Sequence, residues 1–252
     1  MSQKSPRHIL ITGGSRGIGR AIAVMAGAKG WSVGVNYAGN EKAALETVAA
    51  VIRAGGKAIA VQGDVASEAD VIAMFEASEK SFGKLDAVVN NAGIVGPKQA
   101  FADYSYERMK RIFDINVLGA YLVAREAARR LAKSRGGQGG SIVNISSIAS
   151  RLGAGGEYVD YAGSKGAVDT MTIGLARELA PDGVRVNAIR PGLIDTEIHA
   201  SGGQPDRAAR LGATTPMGRA GTADEVAEAA IWLIENDSDY LTASLIDVAG
   251  GR

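Results

Sequence analysis

The sequence predicts an α/β fold in which helices cover both faces of a doubly wound, parallel β-sheet. Short apolar runs rich in β-branched residues alternate with longer segments of helical periodicity through most of the 252 residues. Several of the short runs are apolar almost throughout, which is typical of strands that are covered on both faces. No linker divides the chain, so we expect one domain spanning residues 1–252.

The order of the elements follows from these two periods. The apolar runs predict seven strands, at His8–Thr12, Ser32–Asn36, Ala58–Gln62, Ala87–Asn90, Ser141–Ser146, Arg185–Ile189 and Ser244–Val248. The helical periodicity predicts six helices, at Gly17–Lys29, Glu41–Ala54, Glu68–Phe82, Tyr106–Lys133, Val159–Leu179 and Ala223–Glu235. Residues 192–217 break this rhythm and are rich in glycine and proline, which predicts a long loop that closes over a binding site. We call residues 192–217 the lid.

The composition excludes several classes of protein. A formal net charge of +1 offers no electrostatic surface for nucleic acid or for an anionic membrane. No apolar run reaches the roughly 18 residues that suggest a spanning helix. The chain has no cysteine and no His or acidic cluster with metal-ligand spacing, so we expect neither disulfides nor a metal. The polar first eight residues lack the apolar segment of a signal peptide, and we expect a cytoplasmic location.

A glycine-rich turn joins the first predicted strand to the first predicted helix. Residues 13–19 read Gly-Gly-Ser-Arg-Gly-Ile-Gly. A pyrophosphate must approach the backbone N–H groups at a helix N-terminus, and a Cβ would obstruct that approach. The pattern therefore favours a dinucleotide site, and the alternative is a tight strand-to-helix turn without a ligand.

The end of the second strand bears on the choice of dinucleotide. An acid at this place would bind the ribose 2′-hydroxyl of NAD, but the sequence has Asn36 and Tyr37. A neutral residue does not repel a 2′-phosphate and Asn36 can still donate a hydrogen bond, while Arg16 could pair with the phosphate. We therefore expect NADP(H) to be preferred, with NAD(H) possible. The alternative for Arg16 is an ordinary surface charge.

Tyr161 and Lys165 form a Tyr-x-x-x-Lys pattern on a predicted helix, so both side chains project from one face. A phenol titrates near 10 and exchanges protons poorly at neutral pH, and a nearby ammonium group is expected to lower its pKa. The pattern predicts that Tyr161 acts as a general acid or base. By itself it is weak evidence, because such pairs also occur on ordinary helix surfaces.

Five motifs in order carry a resemblance to the short-chain dehydrogenase/reductase family, from the first strand to the last. They are Thr12–Gly19, the Asn-Asn-Ala-Gly of residues 90–93, Asn116 in the long fifth helix, Ser147 with Tyr161 and Lys165, and Pro191-Gly192 with Thr196. The resemblance implies a Rossmann fold with a seven-stranded parallel sheet and helices on both faces. It also implies a homotetramer assembled through the long fifth and sixth helices.

The resemblance implies roles for individual residues. Ser147 would bind the substrate oxygen, Tyr161 would donate or accept the proton, and Lys165 would bind the nicotinamide ribose. Asn116 would hold a water that links the lysine to solvent. The residues implied to contact the cofactor are Gly13, Ser15, Arg16, Gly17, Ile18, Gly19, Asn36, Tyr37, Asp64, Val65, Asn91, Ala92, Gly93, Tyr161, Lys165, Pro191, Gly192, Ile194 and Thr196.

One spacing departs from the family. Ser147 lies 14 residues before Tyr161, whereas members of the family commonly have one residue fewer. Counting alone would select Ile148, which has no hydroxyl, so we place the extra residue in a loop within Ser150–Asp160. Ser146 is the alternative, but strand alternation would point its side chain to the opposite face. Tyr158 does not compete with Tyr161, because no lysine follows it by four residues; we expect it to line the pocket or to pack.

Other signals remain open. His199 in the lid could touch a substrate or face solvent, and Glu157 could bind a polar substrate or sit on the surface. The basic series Arg125, Arg129, Arg130 and Lys133 could recognise an acidic carrier protein or form a solvated or intersubunit face. The expected partner is a small carbonyl or alcohol: a 3-oxoacyl thioester, a small aldehyde or ketone, or a polyol or sugar. The alternative is a regulatory protein that senses dinucleotides without turnover.

Overall fold

The computed structural model describes residues 7–235 and 240–252. Seven parallel strands form one sheet in the order β3-β2-β1-β4-β5-β6-β7. The strands are β1 (His8–Ile11), β2 (Ser32–Tyr37), β3 (Lys57–Gln62), β4 (Ala87–Asn90), β5 (Gly140–Ile145), β6 (Val184–Pro191) and β7 (Leu245–Val248). All seven strands predicted from the sequence are present, and the predicted doubly wound sheet is confirmed.

Helices connect the strands and cover both faces of the sheet. They are α1 (Gly17–Ala28), α2 (Glu41–Arg53), α3 (Glu68–Phe82), α4 (Tyr106–Phe113), α5 (Ala120–Leu131), α6 (Ala149–Leu152), α7 (Val159–Leu179), α8 (Ile198–Ser201), α9 (Arg207–Gly212) and α10 (Ala223–Glu235). Each helix in the described part of the chain is too short or too polar to cross a bilayer.

The two sides of the sheet form separate cores, because successive strand side chains point to opposite faces. In β1, Ile9 and Ile11 pack into the core on the side of α1 and α10. Leu10, between them, packs into the core on the side of α3 and α5. All three side chains have no exposed surface. This burial on both faces explains why the strands are apolar almost throughout.

Local capping signals mark the starts of two outer helices. The Asn40 side chain accepts a 3.0 Å hydrogen bond from the Ala43 N–H at the start of α2. The Ser67 hydroxyl accepts a 3.3 Å bond from the Asp70 N–H at the start of α3. Such caps satisfy N–H groups that have no partner inside the helix, so short-range chemistry sets these boundaries.

Three segments differ from the sequence prediction, and one of them is the short helix α6 at Ala149–Leu152, which was not predicted. The helix predicted at Tyr106–Lys133 ends at Leu131 and contains a π-helical segment at Asp114–Gly119, between α4 and α5. The lid, predicted as a loop, contains the two short helices α8 and α9. Helices of four and six residues show too few turns for a clear periodicity, which is why the pattern missed them.

The strand order reverses between β1 and β4, which lie side by side and continue into opposite halves of the sheet. In open parallel sheets, a crevice for ligands forms beyond the carboxyl ends of the strands at such a switch point. The glycine-rich turn follows β1 and the Asn91–Gly93 segment follows β4, so the fold brings both motifs to this crevice.

Candidate active site

Hydrogen bonds tie together the ends of β1 and β4. The Thr12 hydroxyl accepts bonds from the N–H groups of Asn91, at 2.9 Å, and Ala92, at 3.0 Å. The Asn91 amide donates to the carbonyl oxygens of Thr12, at 2.9 Å, and Gly13, at 3.1 Å. The buried Thr12 thus holds the segment after β4 against the glycine loop, a role that the sequence analysis did not assign to it.

Two glycines in the loop are required by its backbone. Gly13 has φ +60°, the left-handed region that favours glycine, and a Cβ there would lie 3.1 Å from the Ala92 Cα. A Cβ on Gly19 would lie 2.4 Å from the Gly13 carbonyl oxygen and 2.6 Å from the Asn91 amide nitrogen. Gly19 therefore allows the close packing of the loop on the helix that follows.

A groove of about 400 Å³ runs along this loop, and we call it the loop groove. Most of the residues implied to contact a cofactor line it: Gly13, Ser15, Arg16, Gly17, Ile18, Asn36, Tyr37, Asp64, Val65, Asn91, Ala92, Gly93 and Thr196. Gly17 has φ +51°, and a Cβ there would face Thr196 of the lid at 3.5 Å. Because Gly17 has no Cβ, a dinucleotide pyrophosphate can approach the backbone N–H groups at the start of α1.

The Asn36 side chain does not act as expected from the sequence. Its amide nitrogen donates to the carbonyl oxygens of Val61, at 3.2 Å, and Gly63, at 3.0 Å, and its oxygen accepts from the Gly13 N–H at 3.1 Å. Both amide hydrogens are engaged, so the expectation that Asn36 donates to the ribose is wrong. Asn36 instead braces the glycine loop against the end of β3, and only the tertiary fold supplies those carbonyl partners.

Two arginines line the loop groove. Arg16 lies in the glycine loop at the residue before α1, and its side chain is exposed and makes no capping hydrogen bond. Arg111, from α4, is also exposed and lines the same groove. The sequence analysis missed Arg111, because nothing in its local pattern distinguishes it from a surface charge. Its place in the groove depends on how α4 packs across the sheet.

A second cavity, of about 210 Å³, adjoins the loop groove, and we call it the tyrosine cavity. Ser147, Tyr161 and Lys165 line it together with Pro191, Gly192, Ile194 and Thr196. Ile18, Asn91, Gly93, Thr196 and Ile198 line both spaces. A ligand lying in the loop groove can therefore reach the tyrosine cavity at this junction.

The serine register can be read from hydrogen bonds. The Ser147 hydroxyl accepts a 3.1 Å bond from the Ala149 N–H, and Ser147 also acts on Tyr161 by lowering its pKa. The Ser146 hydroxyl donates to the Lys165 carbonyl oxygen at 3.2 Å. Both serines line the tyrosine cavity, and the Ser146 hydroxyl is engaged with the backbone of α7, so the choice of Ser147 stays a prediction.

Lys165 is buried one helical turn after Tyr161, with 4% of its surface exposed. Its Nζ donates to the Ile145 carbonyl oxygen at 2.8 Å and lies 5.7 Å from the centroid of the Tyr161 ring. Burial lowers the pKa of Lys165 to about 8, and the negative charge of Asp169, one turn further along α7, opposes this shift.

The pKa of Tyr161 moves in the opposite direction to the one expected from the sequence. Burial raises it, and the hydrogen bond from Ser147 acts against this rise. The lysine does not reverse the shift in this arrangement, because its ammonium group is directed at the Ile145 carbonyl oxygen. A raised pKa keeps the phenol protonated at neutral pH, and a protonated phenol can donate a proton.

Asn116 lies in the π-helical segment and is 1% exposed. Its amide nitrogen donates to the Ile94 carbonyl oxygen at 2.9 Å and to the Ser164 hydroxyl at 3.1 Å, while its oxygen accepts from the Ile94 N–H at 2.8 Å. A Cβ on Gly93 would lie 3.3 Å from the Asn116 oxygen and 3.4 Å from the Lys165 Nζ. Asn116 and Gly19 line neither space; both support residues that do.

The lid and the loop before α7 form the outer wall of the tyrosine cavity. His199 is half-buried there, lines the cavity and bonds the Ile194 carbonyl oxygen at 2.8 Å, so one ring nitrogen is already engaged within the lid. Glu157 also lines the cavity and pairs with Arg207 of the lid, its Oε2 at 2.7 Å from Nη2. The sequence analysis missed Arg207, because its partner is 50 residues away.

The basic series on α5 is largely ion-paired within the chain. Arg125 contacts Glu68 at 2.5 Å, and Arg130 contacts Glu79 at 2.8 Å and Glu126 at 2.9 Å. Arg129 contacts Glu126 at 3.2 Å. Because these arginines already pair with acids of the same chain, the pairs favour a structural role for this helix face over a binding site for an acidic carrier protein. The described residues hold no group of three or more His, Asp or Glu that could bind a metal ion.

Comparison with known proteins identifies the family. A family described as Enoyl-(Acyl carrier protein) reductase matches residues 13–252. The Uncharacterized oxidoreductase YgfF of Escherichia coli (strain K12) is 51% identical over 96% of this chain and 98% of its own length. A short-chain type dehydrogenase/reductase from Mycobacterium marinum has a TM-score of 0.90 at 34% identity, over 98% of this chain and 95% of its own.

A further solved structure is similar over its whole length. It is a 3-ketoacyl-(acyl-carrier-protein) reductase from Brucella melitensis complexed with NADH, with a TM-score of 0.88 and 32% identity over 98% of each chain. The motifs, the sheet order and these matches agree. This chain belongs to the short-chain dehydrogenase/reductase family of oxidoreductases.

Proposed function

We propose that this oxidoreductase reduces a carbonyl compound, or oxidises the matching secondary alcohol, with Tyr161 exchanging the proton with the substrate oxygen. One observation carries the proposal. Ser147, Tyr161 and the buried Lys165 line one cavity that adjoins the loop groove, and Ser147 acts on the Tyr161 phenol by lowering its pKa. A substrate oxygen bound in this cavity could contact both hydroxyls.

The residues of the cavity divide the chemistry between them. A dinucleotide held along the loop groove would supply or accept the hydride through its nicotinamide, which Pro191, Gly192 and Thr196 would hold in the tyrosine cavity. Burial keeps Tyr161 protonated, so it can donate its proton to the oxygen of a carbonyl that is being reduced. Ser147 can donate a hydrogen bond to the same oxygen as negative charge develops on it. Lys165, which burial leaves with a pKa of about 8, is mostly protonated at neutral pH and carries its positive charge one helical turn from Tyr161.

We propose NADP(H) as the preferred cofactor, with NAD(H) accepted less well. The support is Arg16, which is exposed at the edge of the loop groove, together with the neutral Asn36 and Tyr37 at the end of β2. A guanidinium group can bind a phosphate through two parallel hydrogen bonds. Because the Asn36 amide is engaged within the protein, this proposal depends on Arg16.

A homotetramer is the proposed assembly, and a cytoplasmic location stays a prediction from the sequence. Large apolar side chains are exposed along α4, the π-helical segment and α5, where the resemblance implies an interface: Tyr106, Phe113, Leu118 and Tyr121. Covering them against a second copy would remove apolar surface from water. Light scattering at micromolar concentration measures the assembly, and a monomer mass would contradict it.

The substrate class is tested by a panel of carbonyl compounds with both reduced cofactors. The panel holds 3-oxoacyl thioesters, small aldehydes and ketones, and sugar-derived carbonyls, and polyols and sugars are tested in the oxidative direction. We expect turnover of at least one class, with higher kcat/KM for NADPH. Binding of cofactor without turnover of any class would favour the alternative, a regulatory protein that senses dinucleotides.

A further inference from the structure

A two-pronged ion pair joins the lid to the loop that precedes the helix of Tyr161. The Arg207 Nη1 lies 3.0 Å from the Glu157 Oε1, and Nη2 lies 2.7 Å from Oε2. Arg207 begins α9 and is 7% exposed, and Glu157 stands four residues before Tyr161. Both side chains line the tyrosine cavity. The pair therefore closes one wall of the cavity next to the proposed proton donor.

Tyr158 connects this pair to Tyr161. The Arg207 Cζ lies 5.2 Å from the centroid of the Tyr158 ring, so the arginine contacts both Glu157 and Tyr158. On its other side, the Tyr158 ring stands perpendicular to the Tyr161 ring, with centroids 5.8 Å apart. One aromatic ring thus separates the lid from the proposed proton donor.

The Glu157 side of this contact is fixed by Tyr104, which precedes α4, and by Arg108 in α4. The Tyr104 hydroxyl donates to the Glu157 carbonyl oxygen at 3.2 Å and accepts from the Val159 N–H at 3.0 Å. Arg108 forms a second two-pronged pair with Asp160, at 2.8 and 3.2 Å, beside Tyr161. The loop before α7 is therefore held independently of the lid.

The lid has less support of its own. Its helices have four and six residues, and helices this short are not stable without tertiary contacts. The Arg207 hydrogen bonds lower the pKa of Glu157, so the carboxylate stays ionised at neutral pH and the pair stays charged. Lys98, whose Nζ lies 4.0 Å from the Glu157 Oε1, adds to the positive surroundings.

We propose that Arg207 is a positioning residue of the reaction: by pairing with Glu157 it holds the lid over the tyrosine cavity and holds Tyr158 against Tyr161. Closure of the lid and orientation of the proton donor are then a single event. This inference rests on the proposed function, because it assumes that Tyr161 exchanges the proton. It makes the lid a part of the catalytic geometry as well as a cover.

The test compares Arg207→Gln, Glu157→Gln and the double variant with Arg210→Gln as the matched control. Arg210 lies on the same helix, is exposed, and is 3.5 Å from Asp206. We expect each single variant to lower kcat by about 10- to 100-fold, since small misplacements of reacting groups have effects of this size. The double variant should lose no more than the single variants, because all three break the same contact. Arg210→Gln should stay within about twofold of wild type, as is usual for exposed pairs.

Two further measurements separate positioning from simple destabilisation. Release of the reduced nicotinamide cofactor, measured by its fluorescence, should be faster in the Arg207 and Glu157 variants. The reason is that the lid also contacts the glycine loop, where Thr196 lies beside Gly17. Glu157→Asp keeps the charge and should restore part of kcat, and it serves as the second variant if Arg207→Gln does not fold. All rates are measured well below the thermal midpoint of each variant.

Three outcomes would overturn the inference in an active wild-type enzyme. The first is a kcat of Arg207→Gln or Glu157→Gln that stays within about twofold of the Arg210→Gln control. The second is a double variant in which the losses of the two single variants multiply. The third is a rate of cofactor release that is the same in these variants as in the wild type. If the wild type turned over no carbonyl or alcohol of the panel, the proposed function itself would fail, and the inference with it.

Discussion

The Tyr158 ring stands perpendicular to the Tyr161 ring, with centroids 5.8 Å apart, yet the two phenols have different surroundings. Burial raises the pKa of Tyr158 to about 12, and the Arg207 guanidinium lies over its ring. Burial also raises the pKa of Tyr161, but there Ser147 acts against the rise and Lys165 follows one turn later. We therefore expect the neighbouring tyrosines to have different tasks: proton exchange for Tyr161 and packing for Tyr158.

This difference predicts the ranking of two variants. Tyr161→Phe should lower kcat by at least about 100-fold, the lower range for loss of a general acid or base. Tyr158→Phe should lose much less, because it keeps the ring that packs on Tyr161. Steady-state kinetics measures both, while fluorescence of reduced nicotinamide and thermal unfolding show that the cofactor still binds and the fold persists. Turnover near the wild-type rate in Tyr161→Phe would reject the mechanism.

The two serines after β5 give a second prediction. Ser147→Ala should lower kcat by about 100-fold or more, the range for removal of a donor to a developing oxyanion. Ser146→Ala should have a smaller effect, because its hydroxyl bonds the Lys165 backbone. The comparison uses kcat/KM of both variants under one set of conditions. If Ser146→Ala were the more damaging change, the register assigned across Ser150–Asp160 would be wrong.

Cofactor choice should depend on Arg16. A charged hydrogen bond contributes about 1.5–3 kcal/mol, or roughly 10- to 150-fold in affinity. Arg16→Ala should therefore bring the ratio of kcat/KM for NADPH and NADH towards one. Arg20 is also exposed and lies one turn further along α1, so Arg20→Ala is the control and should leave the ratio unchanged. A wild type that prefers NADH, or an Arg16→Ala ratio that does not move, would refute the proposal.

The charge of Asp169 should set the alkaline limit of activity. If the ammonium form of Lys165 is required, kcat/KM for reduction should fall as the pH rises through about 8. The midpoint of this fall is an apparent pKa of the coupled Tyr161–Lys165 pair. Asp169 raises the pKa of Lys165, so Asp169→Asn should move the fall to lower pH. Glu178→Gln, on the exposed side of α7, is the control. A profile that stays in place in Asp169→Asn would contradict this assignment.

His8 should make the fold sensitive to acid. It is 2% exposed, its ring bonds Ser78 at 2.8 Å and the Gly83 carbonyl oxygen at 2.9 Å, and burial lowers its pKa below 6.5. Between that lowered pKa and 6.5 the unfolded chain binds more protons, so the free energy of unfolding falls as the pH drops below about 6.5. His8→Gln should remove this slope while lowering stability by about 1–3 kcal/mol at pH 8, since Ser78 and Gly83 lose their partner.

Urea unfolding from pH 8 to pH 5 measures this dependence. Burial also lowers the pKa of His199, the other histidine of the chain, so the comparison is made in a His199→Gln background. The remaining slope near pH 6 then belongs to His8. An equal slope with and without His8 would show that its protonation is not linked to folding.

The sequence alone determined the sheet, the glycine loop and the pairing of Tyr161 with Lys165. These features depend on short-range spacing: alternation along a strand, a turn that only glycine can form, and two side chains four residues apart on one helix face. Such spacing is visible in the chain before it folds. The prediction of Ser147 over Ser146 has the same origin, because it rests on alternation at the end of β5; in the fold, both serines line the tyrosine cavity.

The tertiary structure decided which polar groups are free to act. The Asn36 amide is engaged by carbonyls of Val61 and Gly63, some 25 residues away, so its expected donation to the ribose is lost. The pairing of Glu157 with Arg207 spans 50 residues and depends on how the lid folds back over α7. Partners this distant in sequence leave no periodic signal, because packing of whole elements brings them together. The direction of the Tyr161 pKa likewise depends on burial, which only the folded chain defines.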